Sequence, residues 1–267
     1  MNNIKTVLFD LDETLIIEWD SARNSFIETI NSLGAGIDEN NFIKTIREEA
    51  RKLWYNLPTI EYCLNIGISS REALWADFDG EDNNLKFLKT QSHEYRYKAW
   101  NNALSKFGIH DIRIAEDLSE RYKEIRNTKH ILFPDTIECL ELLKTGYKLG
   151  LITNGAPDIQ RKKITGGKLV NYFDSIIISG EFGAGKPDVR IFREICRQLN
   201  CDNTETIMVG DTIGTDIKGA MQSGLKSVWI NRTGVENNSS DVQPDFEIKS
   251  FSELDICNRQ YGLLFDN

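Results

Sequence analysis

The chain has 267 residues, of which 40% are hydrophobic and 27% are charged, and this composition indicates an ordinary globular protein. Its 41 acidic and 32 basic residues give a net charge of −9, which argues against a nucleic-acid backbone as the main partner. No apolar run approaches the roughly 20 residues that a membrane-spanning helix needs, and we expect no signal peptide ahead of the strand at Thr6.

Cysteine usage gives no sign of a disulfide framework or of a metal site. No cysteine belongs to a Cys-x-x-Cys pair, and none has a histidine at metal-ligand spacing. We therefore expect reduced cysteines in a cytoplasmic protein. The five positions are Cys63, Cys139, Cys196, Cys201 and Cys257.

The first predicted element is a buried strand from Thr6 to Phe9, which ends at the polar sequence Asp10-Leu11-Asp12-Glu13-Thr14. From residue 18 to 130 the apolar spacing becomes helical, and no convincing strand interrupts it. Five segments show this helical spacing: Asp20–Leu33, Glu39–Leu57, Ser70–Asp79, Leu85–Phe107 and Ile114–Asn127.

After Pro134 strands and helices alternate, which predicts a doubly wound parallel sheet of the α/β class. The predicted strands are Lys148–Ile152, Ser175–Ile178, Thr206–Val209, Ser227–Ile230 and Phe246–Ile248. The predicted helices are Ile137–Leu143, Ile159–Val170, Val189–Leu199 and Asp216–Met221. Residues 1–17 and 131–267 are therefore expected to form an α/β core domain, and residues 18–130 an inserted all-helical domain.

Polar residues follow four of the predicted strands. In doubly wound sheets, ligands bind beyond the carboxyl ends of the strands, so these residues are expected to meet in one crevice. Each has an ordinary explanation alone, as a turn residue, a helix cap or an exposed lysine. Together they favour a functional site. They are Asp10 and Asp12, Thr153-Asn154-Gly155, Lys186-Pro187-Asp188, and Gly210-Asp211 with Asp216.

These residue types suit the transfer of a phosphoryl group. The carboxylates of Asp10, Asp12 and Asp211 would repel one another without a cation, and hard oxygen ligands select Mg²⁺. Lys186 offers a positive charge and Thr153 a hydroxyl donor to a phosphoryl group. A carboxylate nucleophile forms an acyl phosphate that water hydrolyses easily, and a second carboxylate can act as acid and base.

The four segments resemble the four motifs of the haloacid dehalogenase superfamily of hydrolases, over about residues 4–16 and 131–232. The resemblance implies that Asp10 is the nucleophile and Asp12 the general acid and base. It makes Thr153 and Lys186 both catalytic and phosphate-binding, and it lets Asn154 contact phosphate or substrate. The implied magnesium ligands are the Asp10 carboxylate, the Asp12 backbone carbonyl and Asp211, and Asp216 is expected to steady these ligands.

The flanking sequences resemble the subfamily that carries a helical cap after the first motif. The chain is most similar there to nucleotidase-like and acylneuraminate-phosphatase-like members. This implies that residues 18–130 form a cap that closes over the crevice and selects the substrate. One departure is Glu13, where many relatives carry glycine or asparagine.

The resulting hypothesis is a magnesium-dependent phosphatase for a small phosphorylated metabolite, such as a nucleotide or a sugar phosphate. No nucleic-acid or membrane partner is expected, and the protein is expected to be a monomer or a homodimer. A phosphomutase would keep every motif, whereas a metal-independent haloacid dehalogenase would lack the second aspartate. A phosphonate hydrolase would need an amine nucleophile, and a non-catalytic scaffold would be expected to lose Asp10 or Lys186.

Overall fold

The computed structural model of the chain describes residues 4–34 and 36–254. The described residues divide into two compact units. The α/β unit holds those within Met1–Ile17, Leu132–Thr153 and Lys168–Asn267, and the helical unit holds those within Glu18–Ile131 and Asn154–Gly167.

Six strands form one parallel sheet in the α/β unit, which confirms the predicted α/β class. They are β1 (Thr6–Phe9), β2 (Lys148–Thr153), β3 (Ser175–Ile178), β4 (Thr206–Gly210), β5 (Lys226–Ile230) and β6 (Phe246–Ile248). The order in the sheet is β3-β2-β1-β4-β5-β6, so the first strand of the chain lies in the interior of the sheet. Its register pairs Thr6 with Lys148 on one side and with Thr206 on the other.

The α-helices of the described residues are divided between the two units. The helical unit contains α1 (Glu18–Asn31), α2 (Glu39–Tyr55), α3 (Ile60–Ile66), α4 (Asn83–Ser105), α5 (Ile112–Thr128) and α7 (Pro157–Gly166). The α/β unit contains α6 (Thr136–Lys144), α8 (Ser179–Phe182), α9 (Val189–Leu199) and α10 (Lys218–Ser223).

Aspartate side chains fix the starts of several helices. A carboxylate that accepts a hydrogen bond from the first turn satisfies a backbone N–H that the helix leaves unpaired. Such a bond is worth about 1 kcal/mol and explains why the chain turns helical at these points. The capping residues are Asp38 for α2, Asp82 for α4, Asp111 for α5 and Asp188 for α9.

The two faces of the sheet are packed differently. On one face, Leu8 and Ile152 belong to a buried apolar cluster with Phe192 and Ile195 of α9. Side chains alternate along a strand, so Phe9 points to the opposite face. There its ring forms T-shaped contacts with the rings of Phe173 and Phe251, whose centroids lie 6.3 and 5.8 Å away. Both faces of β1 are therefore buried, as its continuous apolar sequence requires.

The helical unit has its own core, built largely of aromatic residues. Phe26 of α1 stacks on Tyr122 of α5 with ring centroids 4.2 Å apart, and Trp100 of α4 packs beside both. All three side chains are almost fully buried. Burying one such side chain contributes roughly 1.5–3 kcal/mol, which makes this core a main source of the unit's stability.

The segment Asn154–Gly167, which the sequence analysis placed in the α/β core, groups with the helical unit. Its contacts there explain the grouping. The N–H of Gly155 donates to the carbonyl of Ile66 at 3.2 Å, and the Asp158 carboxylate accepts the N–H of Asp77 at 2.8 Å. Lys162 forms an ion pair with the same Asp77 at 3.1 Å.

One predicted helix is wrong. The stretch Ser70–Asp79 contains only a single helical turn, Glu72–Leu74, and Phe78 adopts a left-handed backbone with φ of 56°. A phenylalanine in that region breaks a helix, and the residues from Ala73 to Ala76 are buried on every side rather than on one face. The short helix α3, which ends at the left-handed Gly67, was not predicted.

The remaining differences are small. The predicted helix Asp216–Met221 is a π-helical turn, Ile213–Ile217, followed by α10. Cys63, Cys139, Cys196 and Cys201 are free, whereas Cys257 lies outside the described residues. Among residues 4–34 and 36–254, no helix is long and apolar enough to cross a membrane.

Candidate active site

Asp10 begins the loop that follows strand β1. Its backbone N–H donates to the carbonyl of Val209 at 2.9 Å, so the ladder between β1 and β4 extends to Asp10 itself. The loop then turns sharply, because the N–H groups of Leu15 and Ile16 both donate to the carbonyl of Leu11. Asp10 therefore lies at the carboxyl edge of the sheet, and it is only 7% exposed.

Lys186 is the buried cation of this edge. Its Nζ lies 2.5 Å from Oδ1 of Asp10 and 2.7 Å from Oδ1 of Asp216. Burial alone would lower the pKa of the Lys186 ammonium, but the charges and hydrogen bonds of the two aspartates outweigh burial and raise that pKa. Lys186 is therefore a permanent positive charge between two carboxylates.

Asp211 and Asp216 reach the same place from the end of strand β4. Oδ2 of Asp216 accepts the backbone N–H of Thr212 at 3.0 Å, and the Thr212 hydroxyl donates to Oδ1 of Asp211 at 3.2 Å. One carboxylate oxygen from each of Asp10, Asp211 and Asp216 lies within 4.8 Å of the others. The structure thus brings together four residues that are scattered along the sequence.

The electrostatics of this cluster show an excess of negative charge. Three carboxylates and one ammonium leave a formal charge of −2. Burial raises the pKa of Asp10 to about 7; the charge of Lys186 opposes this rise, and the charges of Asp216 and Asp12 add to it. Burial, followed by the charges of Asp10 and Asp216, raises the pKa of Asp211 to about 8. These carboxylates resist ionisation because they are buried and because the single cation beside them does not balance their charges.

A divalent cation fits this donor set. The available atoms are carboxylate oxygens, and none of the described residues that converge here is a histidine or a cysteine. Hard oxygen donors select Mg²⁺ or Ca²⁺ over zinc, and a divalent ion would balance the formal excess of two negative charges. The residues present therefore match the magnesium ion that the family resemblance implies.

The structure also gives the positions of three further residues that were predicted to belong to the site. Asp12 is half-buried in the loop after β1, near enough for its charge to raise the pKa of Asp10. Thr153 is the last residue of β2, the neighbour of β1, and it is buried. Asn154 groups with the helical unit, where its side chain packs against Gly67.

Residues 4–224 match a protein-family model, that of the haloacid dehalogenase-like hydrolases. The chain belongs to this family. The hydrolase is 31% identical over 252 residues to the phosphoserine phosphatase of Thermus thermophilus, which covers 94% of this chain and 98% of that protein. It is 29% identical over 257 residues to the N-acylneuraminate-9-phosphatase of Mus musculus, with coverages of 95% and 93%.

A solved structure supports the fold of the hydrolase. The HAD-hydrolase YfnB from Bacillus subtilis, determined bound to magnesium, superimposes with a TM-score of 0.67 at 19% sequence identity. The match covers 94% of this chain and 97% of that one. This likeness confirms the fold, whereas the family that the four motifs indicated is confirmed by the family model over residues 4–224.

Two further residues of the hydrolase shape the cluster, and the sequence analysis assigned neither of them a role. A Cβ on Gly210 would lie 2.5 Å from the Asp216 carboxylate, so only glycine leaves room for it. The indole N–H of Trp229 on β5 donates to the backbone carbonyl of Asp211 at 2.7 Å. Gly210 stands directly before Asp211, which is a usable signal, whereas nothing in the sequence links Trp229 to the site.

The unusual residue of the hydrolase's first loop has a left-handed backbone. Glu13 has a φ of 58°, in the left-handed region that glycine and asparagine adopt most readily. Its N–H donates to the carbonyl of Ile16 at 2.7 Å, which closes the loop behind Asp10. The glycine or asparagine of many relatives suits this backbone, and glutamate adopts it at a conformational cost.

Proposed function

We propose that this hydrolase is a magnesium-dependent phosphatase that acts on a small phosphorylated metabolite through an aspartyl phosphate on Asp10. The substrate class comprises nucleotides, sugar phosphates and similar phosphomonoesters. The observation that supports the proposal is the buried cluster at the end of β1, where Lys186 holds Asp10 and two further aspartates approach within 4.8 Å.

In the first step, a carboxylate oxygen of Asp10 attacks the phosphorus atom and the bond to the alcohol oxygen breaks. Asp12 gives its proton to the departing alkoxide, so the alcohol leaves neutral. An acyl phosphate remains on Asp10. The carboxylate is a suitable nucleophile because its backbone continues the central sheet and its side chain is held by Lys186.

In the second step, a water molecule attacks the phosphorus atom of the acyl phosphate. Asp12, now ionised, accepts the proton of that water, and the bond between phosphorus and the Asp10 oxygen breaks. Inorganic phosphate leaves, and both aspartates return to their starting states. The same residue thus serves as acid and then as base.

The phosphoryl oxygens need positive charge and directed donors throughout both steps. Lys186 supplies the charge, and its buried ammonium keeps its proton because Asp10 and Asp216 raise its pKa. The Thr153 hydroxyl and the Asn154 amide are proposed as hydrogen-bond donors to phosphate or substrate. These groups would hold the phosphorus in line with the Asp10 oxygen.

The proposed magnesium ligands are the carboxylates of Asp10 and Asp211 and the backbone carbonyl of Asp12. Bound there, the ion would neutralise charge on the carboxylates and on the phosphoryl oxygens. Asp216 is proposed to support this arrangement, since it accepts the Thr212 N–H and contacts Lys186. Trp229 would keep the Asp211 backbone in place.

The relatives support a phosphatase over the other reactions of the family. Both curated relatives described above are named phosphatases and align with more than nine-tenths of this chain. We further propose that the helical unit is the cap that selects the substrate, that the protein acts in the cytoplasm, and that it works as a monomer or a homodimer.

The test is hydrolysis of an aryl phosphate by the purified chain with and without added Mg²⁺. Turnover is expected only with Mg²⁺, and Asp10→Asn is expected to abolish it. Asp241→Asn, a substitution of an exposed aspartate in the same unit, is the matched control and should keep full activity. Hydroxylamine added during turnover should convert the acyl phosphate into a hydroxamate at Asp10, which peptide mass spectrometry would detect.

Some outcomes would contradict the mechanism. Turnover in the presence of a chelator, or an active Asp10→Asn variant, would exclude the proposed chemistry. Release of halide from a haloacid without metal would instead identify a dehalogenase. Transfer of the phosphoryl group back to the product, without release of phosphate, would identify a phosphomutase.

A further inference from the structure

A pocket of about 300 Å³ lies within the helical unit, between helix α2 and the loop after α3. It is lined by Lys44, Arg47, Glu48, Arg51, Ser70 and Arg71. The four α2 residues follow a spacing of three or four, which places them on one face of the helix. The sequence of α2 therefore directs three cations and one carboxylate toward Ser70 and Arg71.

The cations of this pocket are not neutralised by the protein. Four cationic side chains and one glutamate give the lining a formal charge of +3, in a chain whose net charge is −9. Across the part of the chain that the structure describes, no carboxylate oxygen lies within 4.0 Å of the charged nitrogens of Lys44, Arg47, Arg51 or Arg71.

Other cations of the same unit behave differently. Lys52 and Lys106 both bind Glu49, at 2.7 and 2.6 Å. Arg126 binds Glu18 at 2.7 Å. The positive charge of the pocket is therefore a local feature rather than a general property of this acidic chain, and like charges held together favour an anion between them.

Arg47 and Arg71 act on each other across this pocket. Partial burial lowers the pKa of the Arg47 guanidinium, and the nearby charge of Arg71 lowers it further. The guanidinium of Arg47 also lies 4.5 Å from the centroid of the Trp19 ring, which limits its motion. One guanidinium is thus held in place beside another of the same charge.

A second, largely apolar pocket of about 270 Å³ adjoins the first and shares Arg51 and Ser70 with it. Its lining includes Trp54, Tyr55 and Leu64, and Tyr55 and Leu64 are about half exposed to solvent. Exposed apolar side chains beside a group of cations suit a ligand that has an apolar body and an anionic end.

The loop that carries Ser70 and Arg71 is also tied to a segment of the candidate active site. Glu72 lies at the position that a Cβ on Gly155 would enter, and the Gly155 N–H donates to Ile66. Asn154 and Gly155 directly follow Thr153 in the sequence. The loop beside the pocket therefore contacts residues that directly follow a proposed phosphate-binding group.

We propose that the pocket formed by Lys44, Arg47, Arg51 and Arg71 binds the carboxylate group of a small organic anion, whose apolar part occupies the adjoining pocket. The planar guanidinium groups match a planar carboxylate, to which they can donate paired hydrogen bonds. The ligand is either the substrate's own carboxylate or a separate carboxylate. This inference goes beyond phosphate hydrolysis, and its binding test requires no turnover.

The binding test uses benzoate as the probe and benzamide, its neutral counterpart, as the control ligand. Isothermal titration calorimetry of the full chain should show that benzoate binds more tightly than benzamide. Arg47→Gln and Arg71→Gln should each weaken benzoate binding by about tenfold, since each removes a charged donor. Arg71→Lys should restore part of the affinity because it keeps the charge.

The matched protein control is Arg113→Gln, which removes one exposed cation of the same unit outside the pocket. It should leave benzoate binding unchanged. Circular dichroism and thermal unfolding would confirm that each variant is folded. The Asp10→Asn variant should bind benzoate normally, so that failure of the hydrolytic mechanism and failure of this inference are distinguishable.

A kinetic experiment determines whether the carboxylate belongs to the substrate or to a separate ligand. This experiment rests on the proposed function. The compounds para-carboxyphenyl phosphate and para-methylphenyl phosphate share an apolar ring and differ by a carboxylate in place of a methyl group. If the carboxylate belongs to the substrate, Arg71→Gln lowers kcat/KM for para-carboxyphenyl phosphate by about tenfold relative to para-methylphenyl phosphate. If it belongs to a separate ligand, that ratio is unchanged while benzoate binding is still lost.

Three results would overturn the inference. The first is benzoate binding that persists unchanged in both arginine variants. The second is an equal loss in Arg113→Gln, which would indicate a general charge effect. The third is an absence of benzoate binding by the unaltered chain together with a preference for para-carboxyphenyl phosphate that the arginine variants do not alter.

Discussion

The charge clusters of the two units of this hydrolase carry an excess of opposite sign. In the α/β unit, the single cation Lys186 lies among three carboxylates, two of which it contacts directly. In the helical unit, the single carboxylate of Glu18 lies between the buried cations Arg126 and Lys163, at 2.7 and 3.5 Å. Most members of both clusters are buried, so the cost of removing charge from water applies to both.

The difference lies in what compensates the excess charge. Arg126 also donates to the carbonyl of Lys129 at 3.0 Å and lies 4.4 Å from the centroid of the Trp75 ring. In the α/β unit, none of the described cations lies within 4.0 Å of the Asp211 carboxylate, and the pKa values of Asp10 and Asp211 are raised. Compensated charge supports the architecture, whereas uncompensated charge indicates a binding site.

The sharpest test of this comparison removes the cation of the α/β cluster. Lys186→Met is expected to lower kcat for an aryl phosphate by about a hundred- to a thousandfold, because phosphoryl oxygens lose their buried counter-charge. The free energy of unfolding should change little by comparison, because Asp10 can bind a proton once its ion pair with Lys186 is lost. Lys226→Met, which removes an exposed cation paired with Asp245, should leave kcat unchanged.

The corresponding change in the helical unit should act on stability. Arg126→Met leaves Glu18 with one fewer cation and is expected to lower the free energy of unfolding by about 3–5 kcal/mol. Urea denaturation would measure this loss. The control Arg113→Met removes an exposed side chain and should change stability by less than about 0.5 kcal/mol. A loss below about 1 kcal/mol for Arg126→Met would contradict an architectural role.

The uncompensated carboxylates also predict a dependence of stability on pH. The pKa values of Asp10 and Asp211 are raised from 3.8 to about 7 and about 8, so the folded state holds protons that the unfolded state releases. Without a divalent cation, Tm should therefore fall by several degrees as the pH rises from about 5 to about 9.

Magnesium ions should remove most of this loss, because they bind the ionised carboxylates of the folded state. The variant Asp211→Asn should show a weaker dependence on pH even without the ion. Differential scanning calorimetry across this pH range would measure both effects. Equal pH profiles for the unaltered chain with and without Mg²⁺ would argue against a cation site at these residues.

Sequence and structure agree where local pattern alone is sufficient. The strand Thr6–Phe9 was predicted with its observed bounds, and the strand ends identified Asp10, Lys186 and Asp211 together. The direct contact of Asp216 with Lys186 was not predictable, because it is a distance between segments that the sequence does not order in space.

The sequence predicted the secondary structure of the helical unit less completely. Helix α3 has seven residues and buries only Cys63 and Ile66, which is too few for a helical period to be recognised. Around Trp75 the chain is buried on all sides, so its apolar residues gave a false helical spacing. Nothing in the sequence indicated that Asn154–Gly167 would pack with the helical unit, since that depends on contacts with Asp77 and Ile66.

The smallest expected effect concerns the loop beside Asp10. Glu13→Asn should raise the free energy of unfolding by about 0.5 kcal/mol, because asparagine adopts the left-handed backbone at lower cost. Glu13→Gln removes the same charge without that conformational preference and should give no such gain. Chemical denaturation of the two variants side by side would separate backbone conformation from charge.

The place of β1 in the sheet has a consequence for how the protein is made. Strand β1 is synthesised before both of its partner strands, because its register partners are Lys148 on one side and Thr206 on the other. Both edges of β1 can therefore be paired only after these two later strands have been synthesised. A nascent chain that stops short of Thr206 lacks strand β4, Asp211 and Asp216 together. Catalytic competence should then appear in one late step, and a chaperone that shields the first strand would raise the yield of active protein.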